Sequence, residues 1–340
     1  MVRLGAMGDI LHSLPAITAL RRAHPAWHIG WAVEPQWTSL LRAENASPGT
    51  EGMPLVDTLH SVPAKRWAKS PFSLQTLSEI RAARRELRAA KYNVALDLQG
   101  AVRSAWIARF AHPHKLIGEA EPREPLARFF FSQKVATRGV HVIEQSIEVT
   151  EALSGQTLPS LQPLLPCDPA SAAYAARLLQ PLILISPGAG WGAKRWPASR
   201  HGEVALNLTS QGYHVAINAG PAELDLAQQI TAVCPSAVTL TPSLSELIAI
   251  TRRASLVIAG DTGPLHLACA LGRPVVGVFG PTDPARNGPY GVPSRVLRHP
   301  QSKRDHTRHA EPEAGLLTIT PEAVTAAAIE LLTQPKEGSL

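Results

Sequence analysis

The sequence predicts an α/β protein of two domains, each a doubly wound parallel sheet with helices on both faces. Short β-rich runs alternate along the chain with amphipathic helical stretches, which is the pattern of parallel α/β folds. A proline-rich segment separates two halves that share this pattern. The length of 340 residues agrees, because a domain usually spans roughly 100–200 residues.

Hydrophobic periodicity places the main elements. In the first half we expect strands at 28–33 and 93–98, and helices at 10–23 and 77–90, where apolar residues recur every three or four positions. In the second half we expect strands at 182–186, 213–218, 256–260 and 275–279. Buried strands joined by helices pair in parallel, so each half should form one sheet.

The domain boundary is expected in segment 158–171 (LPSLQPLLPCDPAS), which contains four prolines. Proline fixes φ and lacks the N–H that regular pairing needs, so such a segment is typical of a linker. We therefore predict an N-terminal domain over 1–160 and a C-terminal domain over 161–320, followed by a helix within 321–340.

The composition is that of a globular protein. Hydrophobic residues make up 45% and charged residues 18%, which excludes a disordered chain, collagen or a coiled coil. No apolar run approaches the ~20 residues of a membrane span, and the first residues lack the apolar core of a signal peptide. The three cysteines are isolated in sequence, as expected of a protein in the reducing cytoplasm.

Positive charge is concentrated in the first half. Residues 1–165 hold 19 Lys/Arg and 14 Asp/Glu, whereas residues 166–340 hold 14 and 13. Such a bias predicts an anionic partner or an anionic membrane for the first domain, although a merely basic soluble surface would look the same. No nucleic-acid recognition motif accompanies it, so nucleic acid is not an expected partner.

The most informative segment is 256–284, LVIAGDTGPLHLACALGRPVVGVFGPTDP. A β-rich run ends before Asp261-Thr262-Gly263, which opens a helix, and a second run ends in Gly-Pro-Thr. Ligands of α/β sheets bind beyond the carboxyl ends of the strands, and a helix N-terminus attracts anions. Thr262 and Gly263 are therefore predicted to bind phosphate, and His266 lies one helical turn further on.

Two further loops follow predicted strands of the second half. Segment 183–200, ILISPGAGWGAKRWPASR, runs from Ser186 through Gly188 to Lys194, which suits a diphosphate, although it is not a Walker A loop. The alternative is an ordinary glycine turn with a solvated lysine. The other strand ends at Asn218, and Gly220 and Glu223 follow; the Glu223 carboxylate could accept hydrogen bonds from a ribose.

In the first half, Asp9 follows the loop LGAMG and precedes a helix. It is a candidate general base toward a hydroxyl nucleophile, and the alternative is that it only caps the helix that starts at Ile10. Other polar and basic candidates gather in three segments: Lys65, Arg66 and Lys69; Gln99 and Arg103; and Arg123. No Asp-x-Asp pair and no zinc-ligand spacing occurs, so no metal or other cofactor is expected.

Together, three motifs resemble glycosyltransferase family 9, the ADP-heptose heptosyltransferases of lipopolysaccharide core assembly. They are G-x-M-G-D-x-L-H-x-L-P-A from Gly5, P-G-A-x-x-G-A-K-R-W-P from Pro187, and D-T-G-x-x-H-x-A-x-A from Asp261. The resemblance implies a GT-B fold, with two Rossmann-like domains facing across a cleft, and a C-terminal helix, 321–340, that packs back toward the first domain. It also implies that no metal is obligatory.

The resemblance further implies an inverting transfer of heptose from ADP-L-glycero-D-manno-heptose. Asp9 would be the base, and the C-terminal domain would bind the donor through Ser186, Gly188, Lys194, Asn218, Gly220, Glu223, Asp261, Thr262, Gly263 and His266. The N-terminal domain would bind Kdo₂-lipid A at the inner face of the inner membrane, through Lys65, Arg66, Lys69, Gln99, Arg103 and Arg123.

Within the family, the first half is most similar to heptosyltransferase I, whereas the loop 187–197 is closer to heptosyltransferase II, whose acceptor is already heptosylated. One departure is that only four residues precede Gly5, so either the first strand is short or the protein starts further upstream. Alternatives are a relative with another donor, a nucleotide-sugar epimerase and a non-catalytic glycan-binding protein. Asp-Thr-Gly also occurs in aspartic proteases, but a single copy in an α/β setting disfavours that class.

Overall fold

The computed structural model describes residues 1–305, 307 and 309–334. The chain forms two compact units, Met1–Cys167 and Asp168–Leu340. The division falls inside the proline-rich segment, at residue 167 where the sequence suggested 160. Both units are built from parallel strands and helices, which confirms the predicted fold class.

In the first unit the elements are α1 (Met7–Ala23), β1 (Gly30–Val33), β2 (Thr58–Ser61), α2 (Ala64–Lys69), α3 (Leu74–Ala89), β3 (Val94–Asp97), α4 (Val102–Ala108), β4 (Lys115–Glu119), β5 (Gln133–Val135) and α5 (Val142–Ser154). All pairings between these strands are parallel. The strand β1 pairs with β2, and β3, β4 and β5 pair in that order.

Residues 2–4 join these two groups of strands. Val2 forms parallel bridges to Ala32 in β1 and to Asp97 in β3, and its N–H donates to Leu96 O at 2.8 Å. The segment thus lies at the centre of the sheet with later strands on both sides. This is the topological switch point of a doubly wound fold, where ligands bind at the carboxyl edge.

Two helices begin earlier than the hydrophobic pattern suggested. The expected start of α1 at Ile10 is wrong, since the helix begins at Met7. The expected start of α3 at Leu77 is also wrong, because the Ser73 side chain accepts from Thr76 N and caps a helix that begins at Leu74. Polar capping residues, rather than apolar spacing, set such boundaries.

In the second unit the elements are α6 (Pro169–Ala176), β6 (Leu182–Ser186), α7 (Ala198–Ser210), β7 (His214–Asn218), α8 (Leu224–Val233), β8 (Val238–Leu240), α9 (Leu244–Arg253), β9 (Leu256–Gly260), α10 (Gly263–Ala270), β10 (Val275–Phe279), α11 (Pro284–Asn287), β11 (Ser294–Arg298) and α12 (Pro321–Thr333). Across the described residues of the chain, we find no helix with the length and apolar character required to cross a membrane.

The six strands of the second unit form one parallel sheet in the order β11-β10-β9-β6-β7-β8. The strands β6 and β9 pair directly, with Ser186 opposite Ala259. The chain order reverses between them, so the switch point lies where β6 and β9 end.

The helix α12 packs on α7, β9, β10 and β11 of the second unit. Its inner face contributes Val324, Ala328 and Leu331 to the core of that unit. Residues 335–340, which complete the segment expected to be helical, lie outside the described residues.

One histidine of this core is held in its neutral form. His201 on α7 is 2% exposed, and its ring packs edge-on against Trp196 with the centroids 4.8 Å apart. Burial lowers the pKa of His201 from 6.5 to about 3, because the charged imidazolium would lose its hydration.

This lowered pKa predicts a loss of stability in mild acid. Between pH 6.5 and about pH 3 the His201 side chain is protonated in the unfolded state but not in the folded state. The free energy of unfolding therefore decreases as pH falls through that range. Relative to His201→Leu, the wild type should lose about 1.4 kcal/mol of unfolding free energy per pH unit. Denaturant titrations between pH 7 and 4 measure this difference, and a difference independent of pH would contradict it.

Candidate active site

A cavity of about 210 Å³ opens at the switch point of the second unit. Its lining comes from the last residues of β6 and β7 and from the residues that follow β6, β7 and β9: Ser186, Gly188, Ala189, Gly190, Asn218, Glu223, Thr262 and Pro264. The Asn218 amide donates to the Ser186 hydroxyl at 3.1 Å, which links two of these loops. The structure therefore brings together five of the predicted donor-binding residues in one cavity.

The Glu223 side chain is held against the glycine-rich loop that follows β6, residues 187–192. Its Oε2 accepts from Gly220 N at 3.0 Å, and Gly220 precedes a 3₁₀ turn, Pro221–Glu223. A Cβ on residue 188 would lie only 1.8 Å from Glu223 Oε1, so the carboxylate can occupy this place only beside a glycine. Gly188 and Glu223 thus form one structural feature, although they are far apart in sequence.

A buried charged group lies where β9 ends. Lys194 Nζ donates to Asp261 Oδ2, and His266 Nε2 lies 3.2 Å from Asp261 Oδ1. Lys194 and Asp261 are 11% and 7% exposed, and the ammonium also lies 4.3 Å from the centre of the Trp191 ring. Burial raises the pKa of Asp261, but His266 and Lys194 outweigh that effect and hold it well below its usual range.

The helix α10 directs its N-terminus at the cavity. Thr262 is its N-cap residue, and the Thr262 hydroxyl donates to Gly260 O, so no side chain caps the first turn, which starts at Gly263. Thr262 and Pro264 both line the cavity. Backbone N–H groups at such a terminus favour anions.

In the first unit, Asp9 lies in the first turn of α1 and is 36% exposed. Its Oδ2 accepts from Ala6 N at 3.0 Å, so Asp9 satisfies the helix start from the third helical position, whereas the capping alternative expected it to precede a helix starting at Ile10. Its Oδ1 lies 3.3 Å from Arg3 Nη2. The carboxylate is therefore held in place, and its exposure leaves it accessible to a hydroxyl group.

Gln99 and Arg123 are brought close by a tight turn after β3. Gln99 Oε1 accepts from Leu4 N at 2.7 Å, beside the loop that leads to Asp9. Gly100 has φ +63°, and a Cβ there would lie 3.0 Å from Arg123 N. Arg103 is half-buried, and its Nε finds no hydrogen-bond partner among the residues that the structure describes.

The buried Asp97 side chain holds this turn in place. It accepts hydrogen bonds from Gly100 N, Ser104 Oγ and Gln99 N. Its complete burial nevertheless raises its pKa to about 6. Asp97 therefore supports the loop that carries Gln99 and is not itself open to a ligand.

The three basic residues of α2 differ in their surroundings. Lys65, Arg66 and Lys69 are all exposed. Arg66 Nη2 lies 2.6 Å from Glu79 Oε1, so its charge is already paired. Within the described part of the chain, neither Lys65 nor Lys69 forms an ion pair, which leaves both ammonium groups available to an anion.

Sequence reasoning missed two residues of these sites. Arg3 lies in the short segment before Gly5, and the sequence feature that could have indicated it is a single basic residue just before the loop that leads to Asp9. Trp191 sits among glycines, and an aromatic residue three positions before Lys194 was the signal. Among the residues that the structure describes, no cluster of His, Cys, Asp or Glu could hold a metal ion.

Solved structures define the class. The structure described as Escherichia coli heptosyltransferase WaaC with ADP superposes with a TM-score of 0.80 at 28% identity, covering 97% of this chain and 98% of that one. The same enzyme with ADP-2-deoxy-2-fluoro heptose gives a TM-score of 0.78 at 27% identity, with the same coverage. The chain is thus a glycosyltransferase with the GT-B fold.

Sequence comparison defines the family. Residues 80–316 match glycosyltransferase family 9 (heptosyltransferase). Lipopolysaccharide heptosyltransferase 1 of Escherichia coli K12 is 30% identical over 317 residues, which cover 88% of this chain and 93% of the relative. The chain belongs to glycosyltransferase family 9, as its motifs suggested.

The buried Lys194–Asp261 ion pair should contribute a measurable coupling energy to stability. Asp261→Asn leaves the Lys194 ammonium without its carboxylate and should lower the unfolding free energy by about 3 kcal/mol. Lys194→Met should also destabilise, but the double variant should lose clearly less than the sum of the two single losses. Denaturant unfolding of all four proteins at pH 7 gives the coupling; additive losses would show that the two charges do not depend on each other.

Proposed function

We propose that this enzyme transfers heptose from ADP-L-glycero-D-manno-heptose to Kdo of Kdo₂-lipid A, with inversion at the anomeric carbon. The observation that carries the proposal is the cavity of the second unit, which Glu223 and Thr262 line. The buried Lys194–Asp261 pair lies where β9 ends, and Asp261 directly precedes Thr262. The similarity to a heptosyltransferase solved with ADP and with a fluorinated ADP-heptose supports the same donor.

The donor would bind with its diphosphate at the N-terminus of α10. Thr262 and Gly263 would offer backbone N–H groups, and Lys194 would add a positive charge close by. As the bond to the sugar breaks, negative charge grows on the departing ADP, and these groups stabilise it. Asp261 holds Lys194 in position and His266 bonds to Asp261, and both would orient the sugar and the diphosphate.

The nucleoside would lie along the loops after β6 and β7. Glu223 faces the cavity with a carboxylate held by Gly220, and it can accept hydrogen bonds from the ribose hydroxyls. Ser186 and Asn218 complete this side, linked by their own hydrogen bond. No metal is required in this proposal, because Lys194 and the helix terminus supply the positive potential.

Asp9 would act as the general base. It would take the proton from an acceptor hydroxyl as that oxygen attacks the anomeric carbon, while ADP leaves from the opposite face. The hydrogen bond from Ala6 N and the charge of Arg3 fix the carboxylate, which remains 36% exposed. Helix capping and base catalysis are therefore compatible roles for the same side chain.

The first unit would bind the anionic acceptor. Lys65 and Lys69 are exposed and would meet phosphates or carboxylates, whereas Arg66 would first have to leave Glu79. Gln99, Arg103 and Arg123 lie around the turn at Gly100 and would contact the sugar acids. An acceptor of this kind is a membrane lipid, so we place the enzyme in the cytoplasm, peripherally on the inner membrane.

A second candidate acceptor is heptosylated Kdo₂-lipid A, the substrate of type II enzymes. The loop 187–197 favours it, because its motif is closer to that type. The two activities differ only in the acceptor, so a single assay separates them.

The test measures ADP release from ADP-heptose with no acceptor, with Kdo₂-lipid A and with its heptosylated form. We expect release that depends on Kdo₂-lipid A. Release only with the heptosylated acceptor would assign type II, and release without any acceptor would point to hydrolysis instead of transfer.

Asp9→Asn separates catalysis from helix capping in the same assay. The amide oxygen can still accept from Ala6 N, so the helix start and the affinity for ADP should be retained. Without a base, turnover should fall about 100-fold or more. Near-normal turnover with normal stability would leave Asp9 with the capping role alone.

A further inference from the structure

The outer face of α3 and the turn before it carry large apolar side chains in solvent. Phe72 is 90% exposed, Leu74 86% and Leu77 36%, and all three fall within six residues. Single exposed apolar residues are ordinary on protein surfaces, but neighbouring ones mark a surface that meets something else.

The packing of α3 does not require these side chains. The inner face holds the helix in the core through Thr76 and Leu87, which are buried, and through Ile80 and Ala83, which pack on it. Phe72 precedes the N-cap residue, from where it could cover the first turn as a hydrophobic staple. Its almost complete exposure shows that it does not do so here.

A row of arginines continues the same face along the helix. Arg81, Arg84, Arg85 and Arg88 are exposed and follow Leu77 at helical spacing. The helix has two acidic residues, and both are engaged elsewhere: Glu79 pairs with Arg66, and Glu86 accepts from His60. In the described residues, none of these four arginines forms an ion pair, so the face is uniformly cationic.

Exposed apolar residues at the start of α3, followed by arginines on the same face, favour one kind of partner. Segment 64–91 holds eight Lys/Arg and two Glu, and its net charge of +6 equals that of the whole chain. Helices with apolar residues beside Lys and Arg lie in the interface of anionic bilayers, where headgroups attract the cations and the apolar side chains enter the acyl boundary.

We propose that the α3 face, meaning Phe72, Leu74 and Leu77 with the four arginines, docks the enzyme on an anionic phospholipid bilayer. The inference deepens the proposed function and rests on it in one respect, namely that the acceptor is a membrane lipid. Phe72 and Leu74 enter the bilayer, and the arginines contact the phosphates. None of the residues of this surface is among those assigned to the acceptor, so its membrane binding can be measured without the acceptor.

The experiment is cosedimentation of the full chain with vesicles that contain no acceptor. Vesicles of phosphatidylglycerol and phosphatidylethanolamine should bind the protein, whereas pure phosphatidylcholine should bind it at least about tenfold more weakly. Binding to the anionic vesicles should fall as salt is raised. Equal binding to both vesicle types, or to neither, would overturn the proposal.

Two sets of variants localise the surface. The charge variant combines Arg84→Gln, Arg85→Gln and Arg88→Gln and should weaken anionic-vesicle binding about tenfold or more. Its control combines Arg22→Gln, Arg177→Gln and Arg253→Gln, which remove equal charge from exposed sites elsewhere and should change this binding little.

The apolar variant combines Phe72→Ser with Leu74→Ser and should weaken anionic-vesicle binding by a similar factor. Its control combines Leu179→Ser with Val238→Ser, which are also exposed. Equal losses in variants and controls would contradict an α3 docking surface.

An activity measurement distinguishes this proposal from the proposed function. With a deacylated, water-soluble acceptor the α3 variants should turn over like the wild type, and with acceptor embedded in anionic vesicles they should be slower. Loss of activity on the soluble acceptor would mean that the α3 face serves catalysis, against the proposal. If no acceptor supports turnover by the wild type, the proposed function fails, while the acceptor-free vesicle assay still decides the membrane surface.

Discussion

Parallel pairing of β6 with β7 on one side and β9 on the other brings three loops to one edge of the second sheet. Each strand end contributes to the cavity: the glycines after β6, Asn218 at the end of β7 with Glu223 after it, and Thr262 after β9. None of these groups could form the site from its sequence neighbourhood alone. The direction of the strands sets their meeting point, and the switch between β6 and β9 provides the space for a ligand.

The two units use charge in different ways. In the second unit, Lys194 and Asp261 are nearly enclosed, so the cation is held in one place by a carboxylate that also offsets its charge. In the first unit, Lys65 and Lys69 and the arginines of α3 are exposed, and their long side chains can adapt to an anionic surface. A fixed cation suits a small anion of defined shape, and exposed cations suit an extended anionic surface.

Much of this architecture could be predicted from the sequence. Strands with continuous apolar runs, such as 182–186 and 256–260, have the predicted bounds, because both faces of a central parallel strand are buried. The strands β2, β4, β5, β8 and β11 were not predicted, since they are short and mix polar with apolar residues, and all but β4 lie at sheet edges. The role of Val2 was also hidden, because a single bridging residue leaves no periodic pattern.

At the sites, sequence motifs indicated which residues matter but not how they contact one another. The motifs named Gly188 and Glu223 separately, and only the structure shows that one requires the other. The motifs also did not indicate that Arg66 is paired with Glu79, or that Arg3 lies beside Asp9. Such pairings depend on tertiary packing between segments distant in sequence, which local spacing does not encode.

Equilibrium ADP binding to four variants tests whether the donor nucleotide binds where Glu223 meets the glycine-rich loop after β6. Gly188→Ala displaces the Glu223 carboxylate and should weaken ADP binding about tenfold or more. Glu223→Ala should weaken ADP binding by a similar factor. The double variant should lose no more affinity for ADP than either single variant, because both changes remove the same contact. The control is Glu203→Ala, which removes an exposed carboxylate of α7 that does not line the cavity and should bind ADP like the wild type. Wild-type affinity in both Gly188→Ala and Glu223→Ala would contradict this placement of the donor.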